Sequence, residues 1–470
     1  MTDLRKLHPL ALLIATAAFA ADWPQFRGPG GLGVSGDRNL PVEFGPQKNV
    51  VWKTALPPGH SSPILVGPRI FVTAYEGEKL LTIALDRSTG KILWKREAPR
   101  PRQEYMQPTN GPASGSPASD GTNVYVFFGD FGILCYGVDG EERWRVPLGP
   151  FNNANGHGAS PVLIDDMLVL ICDQDTDSYV IALDKATGKV RYRIERPEVT
   201  RSYSIPTVYR PKNGPAELII PGSYLVIAYD LATGAKLWWV RGMSWQQKSA
   251  AVVDGDVVYV CGWESGGDSA TPAESPTWEE ALQRYDTDHD GKLTPAEVIR
   301  EFRSFGEFDL DRDQTMNERE WNFYRARKAS QNVFMAIRAG GRGDVTGKRV
   351  LWQYRKSLPN VPSPLLYQGV LYLVRDGGVM TSLDPRTGEP FKVDRLRGAL
   401  DRYWSSPVAA DGKIYVSSES GKVTVLRADA DWQILAQNDL EDTVFGTPAI
   451  GDSRLYVRTR SALYCFGKGK

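Results

Sequence analysis

Cysteine is scarce in this chain of 470 residues, and its four copies are poorly placed to pair. Cys135, Cys172, Cys261 and Cys465 stand far apart, each inside an apolar run, with no Cys-x-x-Cys spacing. That distribution speaks against a disulfide framework or a thiolate metal site and reads as small buried hydrophobes. Neither sign of charge is in excess, with 56 Lys and Arg against 56 Asp and Glu. The balance gives no footprint for nucleic acid or an acidic membrane surface. No Ser/His/Asp arrangement, glycine-rich phosphate loop or zinc motif stands out either.

Long hydrophobic runs are also missing. The N-terminal apolar stretch, residues 10–18, is too short to span a bilayer as a permanent helix. Arg5 and Lys6 precede it, and Ala18-Phe19-Ala20 supplies small residues at both recognition positions for cleavage. Residues 1–20 are therefore expected to be a signal peptide, with an exported periplasmic or extracellular chain starting at Ala21. No cysteine follows the stretch to carry a lipid anchor.

What the chain does have is a recurring phrase. Asp86-Arg87-Ser88-Thr89-Gly90-Lys91 leads to Trp94, Asp139-Gly140 to Trp144, Asp184 through Thr187-Gly188-Lys189 to Tyr192, and Asp230 through Thr233-Gly234 to Trp238. Weaker copies occupy 344–352, 384–391 and 429–432, and successive Asp positions lie 53, 45, 46, 114, 40 and 45 residues apart. A period near 45 marks a propeller or another repeat array. Asp can bond backbone N–H groups ahead of it, and Gly takes positive φ without steric cost, so both read as turn mechanics. The recurring Trp reads as packing between neighbouring sheets.

Short apolar strands open at Ser62-Pro63, Ser116-Pro117, Ser160-Pro161, Ile205-Pro206, Ser249-Ala250, Ser363-Pro364, Ser406-Pro407 and Thr447-Pro448. These eight openings predict an all-β, eight-bladed propeller of four-stranded antiparallel blades. The last repeat ends before its own aromatic strand, while the strand at 49–56, with Trp52, has no repeat before it. Trp52 is thus expected to complete the final blade and close the ring, which removes exposed sheet edges. The expected organisation is an extension at 21–48, blades at 49–262 and 331–470, and an insertion at 263–330 inside the fifth blade.

The insertion carries 16 Asp and Glu against 9 Lys and Arg. Within it, Asp286-Thr287-Asp288-His289-Asp290-Gly291-Lys292-Leu293-Thr294-Pro295-Ala296-Glu297 matches the twelve-residue EF-hand loop at every diagnostic position. A hard Ca²⁺ ion needs six to eight oxygens, and alternate residues of a tight loop point theirs inward. Asp286, Asp288 and Asp290 would give carboxylates, Lys292 its carbonyl, Thr294 a direct or water-mediated contact, and Glu297 two oxygens. A second loop repeats the pattern with Asp309, Asp311, Asp313, Thr315 (carbonyl), Asn317 and Glu320, departing from it where Gln314 replaces Gly. Thr277 and Glu280 form a capping box ahead of one helix, and 298–305 and 321–327 read as further helix.

The run Ala84-Leu85-Asp86-Arg87-Ser88-Thr89-Gly90-Lys91-Ile92-Leu93-Trp94 resembles the tryptophan-docking repeat of pyrroloquinoline-quinone (PQQ)-like propellers. That superfamily includes quinoprotein alcohol dehydrogenases and the outer-membrane assembly lipoprotein BamB. The resemblance covers roughly residues 49–262 and 331–466, and it implies a fold rather than one activity.

Strand order places the insertion on the face made by the inter-blade links. The links hold His60, Asn110, Asn155, His157, Arg201, Tyr203, Trp245, Lys248, Asn360, Arg402, Tyr403, Trp404 and Phe445, which are expected to ring the mouth of the central channel. Of these, His60, His157, Arg201, Trp245, Arg402, Tyr403 and Trp404 are the candidate ligand-binding residues. The residues favour a non-catalytic calcium-binding module that presents its loop face to a protein or glycan partner. The alternative is a PQQ-dependent dehydrogenase. Within the resemblance, that activity would call for an adjacent cysteine pair and a Ca²⁺ site with a catalytic Asp in the funnel. The chain has no such pair, and no funnel segment carries such a site clearly. A BamB-like scaffold is a third reading, against which the missing anchor cysteine counts.

Overall fold

The computed structural model describes residues 22–268, 273–298 and 305–468. The expected signal peptide and most of the expected 298–305 helix lie outside them. Eight sheets form a ring, each antiparallel and ordered along the chain from the innermost strand outward. Blade 1 shows the pattern, with strands Ile64–Val66, Arg69–Glu76, Lys79–Asp86 and Ile92–Ala98. The last sheet holds Ala449–Gly451, Arg454–Arg458 and Ala462–Phe466, and its outermost strand is Val50–Ala55 from the other end of the chain. The middle strands are buried on both faces, so they read as continuous apolar runs such as Met167–Cys172. All four cysteines lie buried and unpaired in such strands.

The recurring phrase works as a docking device. Asp86 Oδ1 accepts from the N–H groups of Ser88 (3.1 Å) and Thr89 (2.8 Å), which shapes the turn. Gly90, at φ 73°, leaves room that a Cβ would take from the ring of Trp52 in the preceding blade. The Trp52 indole N–H then donates to Arg87 O at 3.1 Å. Trp94 repeats this on Val138 O, Trp144 on Lys185 O and Trp352 on Pro385 O. In blade 3 the Tyr192 hydroxyl takes this role instead and donates to Leu231 O of blade 4. The weaker copies diverge. Asp344 lies beside Trp239 in a short parallel strand added to the edge of blade 4, and Trp432 is buried in a turn before its strand.

The strand openings form a second closure around the channel. The Ser62 N–H donates to Ser116 Oγ, Ser116 to Ser160, Ala250 to Ser363, Ser363 to Ser406, Ser406 to Thr447, and Thr447 back to Ser62, all at 2.9–3.0 Å. The belt breaks at Ile205 and Ala250, which carry no hydroxyl. Buried donors are thereby paired from blade to blade.

Residues 22–48 run as a strap across the face opposite the inter-blade links. Trp23 bridges Leu65 of blade 1, Ser119 of blade 2 donates to Pro24 O, and Leu163 of blade 3 donates to Gln25. The Arg27 guanidinium then reaches Pro364 O of blade 6 at 2.6 Å, and Val34 bridges Ala409 of blade 7. Phe26, midway along this crossing, lines the channel.

The insertion leaves the ring between Val257–Gly262 and Val333–Arg338 and docks on the link face. Its helices include Trp278–Tyr285, which starts with the Thr277–Glu280 capping box, and Glu318–Ala329, capped by Asn317 and Glu320. Its core of Leu293, Phe308, Leu310, Met316 and Trp321 continues into Tyr224 and Trp245 of the ring. Arg319 fastens the long helix by donating to Pro197 O (3.0 Å) and Asp175 O (2.9 Å). Asn152 Nδ2 donates to Leu310 O at 2.9 Å. Among the described residues, no helix is long and apolar enough to cross a membrane.

Candidate functional site

Two acidic loops of the insertion have the same internal geometry. Carboxylate oxygens of Asp286, Asp288 and Asp290 lie within 4.8 Å of one another, as do those of Asp309, Asp311 and Asp313. In each loop the first Asp accepts from the sixth residue. Gly291 N–H donates to Asp286 Oδ2 (3.1 Å) and Gln314 N–H to Asp309 Oδ2 (3.0 Å). The third and fifth residues hold the backbone two positions on, as when Asp290 Oδ1 accepts from Lys292 N–H at 2.8 Å. Gln314 takes φ 66° where the first loop has Gly291 at φ 79°. The loops meet in a small antiparallel bridge, Leu293 N–H to Met316 O (3.2 Å) and Met316 N–H to Leu293 O (2.8 Å), with both side chains fully buried.

The closing glutamates sit differently. Glu297 is held by the N–H groups of Thr294 and Thr287, which pull its carboxyl down to about 2. Glu320 is almost fully buried, which pushes its carboxyl up, while N–H groups of Asn317 and Leu310 oppose that shift. Asp286 Oδ1 and Asp309 Oδ1 are buried with no hydrogen-bond partner. Converging oxygens, one of them unsatisfied in each loop, are chemically able to hold a hard cation.

The second site is the channel, a cavity of about 390 Å³. Of the thirteen link residues expected at its mouth, His60, Asn110, Asn155, Tyr203, Lys248, Asn360, Trp404 and Phe445 line it. The other five lie elsewhere. His157 is wedged against Phe127 and Phe151, with ring centroids at 4.8 and 4.6 Å. Arg201 pairs with Asp175 and lies over the Trp245 ring. Trp245 turns toward the insertion, stacks on Phe308 and donates to Thr200. Tyr403 is buried and donates to Ala399 O at 2.6 Å, and Arg402 lines a separate surface hollow with Asp376 and Glu419. Sequence position alone does not reveal these local surroundings.

Phe26, Gln107, Thr109, Ser114 and Gln246 line the cavity without having been singled out. Gln107 and Ser114 share a link with Asn110, so their position was readable. Phe26 belongs to no repeat and gave no signal. His60 stacks on Phe445 (centroids 4.1 Å apart), and burial holds its imidazole down to about 4, so it is neutral near pH 7.

A family profile described as outer membrane protein assembly factor BamB matches residues 32–134, 82–285 and 342–468. No match was found among curated proteins. The fold is similar to BamB from Moraxella catarrhalis, at 14% identity and TM-score 0.50 over 85% of this chain and 94% of that one. It is similar to a europium-containing methanol dehydrogenase, at 10% identity and TM-score 0.62 over 95% and 98%. A quinohemoprotein alcohol dehydrogenase from Comamonas testosteroni gives 11% identity and TM-score 0.57 over 97% and 82%. At such identities the likeness concerns fold alone. With the profile spread over most of the ring, the chain belongs to the BamB family of PQQ-like β-propellers.

Proposed function

We propose that this protein is an exported, calcium-binding β-propeller that serves as a binding or scaffold module through the face bearing its insertion. The observation that carries the calcium reading is the pair of Asp286 and Asp309 Oδ1 atoms, each buried without a partner at the head of an acidic loop. A buried carboxylate oxygen left unsatisfied is costly, and a cation between the loop oxygens would remove that cost. Asp286, Asp288, Asp290, the Lys292 carbonyl, Thr294 and Glu297 would hold the first ion. Asp309, Asp311, Asp313, the Thr315 carbonyl, Asn317 and Glu320 would hold the second. A family description that names an assembly factor supports the scaffold role. The cleavage signature in residues 1–20 supports export. The partner is a protein or glycan that meets the link face.

The fold family also implies PQQ, and the channel wall does not suit a quinone with its metal ion. Among the described residues its lining holds no Asp, Glu or Cys, so a divalent cation would find no anionic ligand from them there. Calorimetric titration of the full chain should show two Ca²⁺ sites, with one lost in Glu297→Gln and one in Glu320→Gln. Wild-type titrations from both variants would refute the loop assignment. Turnover of alcohols or sugars with a dye acceptor, after reconstitution with PQQ and Ca²⁺, would overturn the non-catalytic reading.

A further inference from the structure

The channel is lined by Phe26 of the strap as well as by residues of the inter-blade links. Its wall is unusual in charge. Among the described residues, Lys248 is the one lysine or arginine that lines it, and no lining carboxylate faces it. Its Nζ donates to Asn360 Oδ1 at 2.9 Å and lies 5.8 Å from the centre of the Trp263 ring. The carboxylates that act on it from neighbouring elements are Glu264 and Asp376. Neither makes an ion pair with it. Glu264 is taken by Arg327 at 3.3 Å, and Asp376 accepts from the Tyr403 N–H at 2.8 Å. Burial lowers the Lys248 ammonium to about 8, which still leaves it charged near pH 7. A cation without a counter-charge on the wall of a pocket is a place for an anionic group.

The remainder of the wall narrows the choice of ligand. His60 stacks on Phe445 with centroids 4.1 Å apart, and Trp404 stands tilted beside Phe445 at 6.1 Å, so the three rings form one aromatic part of the wall. Such a surface suits a ring with an apolar C–H face. Amides of Gln107, Asn110, Asn155 and Gln246 add donors and acceptors around it. A hydrocarbon would leave these amides unpaired, at a cost for each. A nucleotide brings several phosphate charges against one lysine and no lining arginine. An amine ligand would meet a cation with no carboxylate to balance it.

Resting on the binding-module reading above, we infer that the channel binds a small saccharide carrying one carboxylate. The carboxylate pairs with Lys248, the sugar's C–H face lies on Trp404 and Phe445, and its hydroxyls meet the ring of amides. The cavity volume falls in the range of small-molecule sites.

Isothermal titration of the full, calcium-loaded chain tests this with D-glucuronate and D-galacturonate against D-glucose and D-galactose. Acetate and inorganic phosphate serve as charge-only probes. At least one uronate should bind, its parent hexose about ten-fold or more weakly, for want of one charge-assisted hydrogen bond, and the simple anions more weakly still. Lys248→Met should bring uronate affinity down to the hexose level, and Trp404→Ala should weaken both. Silence with both uronates, equal affinity for uronate and hexose, or equal binding of acetate or phosphate would each overturn the assignment. The wild-type preference decides even if Lys248→Met fails to fold. Calcium titration of the same samples separates the two readings, since a chain that binds uronate but takes up no Ca²⁺ sinks only the metal sites.

Discussion

A single residue type, tryptophan, looks chemical in the sequence and is mechanical in the fold. Trp52, Trp94, Trp144 and Trp352 each donate one hydrogen bond to the next blade and fill space beside its turn. That role was legible because the repeat fixes Asp, Gly and Trp at constant spacing. Histidine shows the opposite case. His157 was a candidate for ligand contact, yet both ring nitrogens are buried without partners and burial lowers its imidazole to about 4. Since an unfolded histidine titrates near about 6.5, the unfolded chain binds the proton first as pH falls. The stability linked to neutral His157 is thus fully present above about 6.5, and it is lost as pH falls toward about 4. Chemical denaturation of His157→Phe across this window should show a shallower loss than wild type, by up to about 1.4 kcal/mol per pH unit. Parallel curves would mean that His157 is solvated.

At the scale of elements, the insertion follows its sequence closely. The Thr277–Glu280 capping box, the two acidic loops and the helix over 321–327 all stand where the spacing puts them. The departure at Gln314 has a visible consequence, since the loop still demands φ 66° there. Left-handed backbone costs a non-Gly residue about 1 kcal/mol. Gln314→Gly should therefore stabilise the second loop and, on the calcium reading, raise its Ca²⁺ affinity by about five-fold. Calorimetry checks this directly, and unchanged affinity would show that the strain persists in the bound loop. The capping box formed by Asn317 and Glu320 was not anticipated, because Glu320 had been assigned to the metal sphere alone. On the calcium reading the same side chain would do both jobs, since the loop's last position is also the third of the helix.

The whole molecule depends on one joint built from both ends of the chain. Strand Val50–Ala55 pairs with Ala462–Phe466, and Trp52 locks blade 8 to blade 1. Trp52→Ala should cost about 3–5 kcal/mol, because it opens a cavity where the ring closes. Urea unfolding should show a lower midpoint with the slope preserved, as expected if the ring unfolds as a unit. A separate early transition would instead mean that blade 8 detaches by itself.

The sequence by itself determined the number of blades, the site of the insertion and the two acidic loops. Those features are written in spacing within 12 to 50 residues, where local turn chemistry and strand alternation decide the outcome. Tertiary structure alone decided which link residues face the channel, that Phe26 of the strap joins its wall, and how the insertion seats on the ring. These depend on contacts such as Arg27 to Pro364, 337 residues apart, and Arg319 to Asp175, 144 apart. Side chains separated that far find partners only once the blades have been placed around their axis, and no periodicity in the chain encodes that choice.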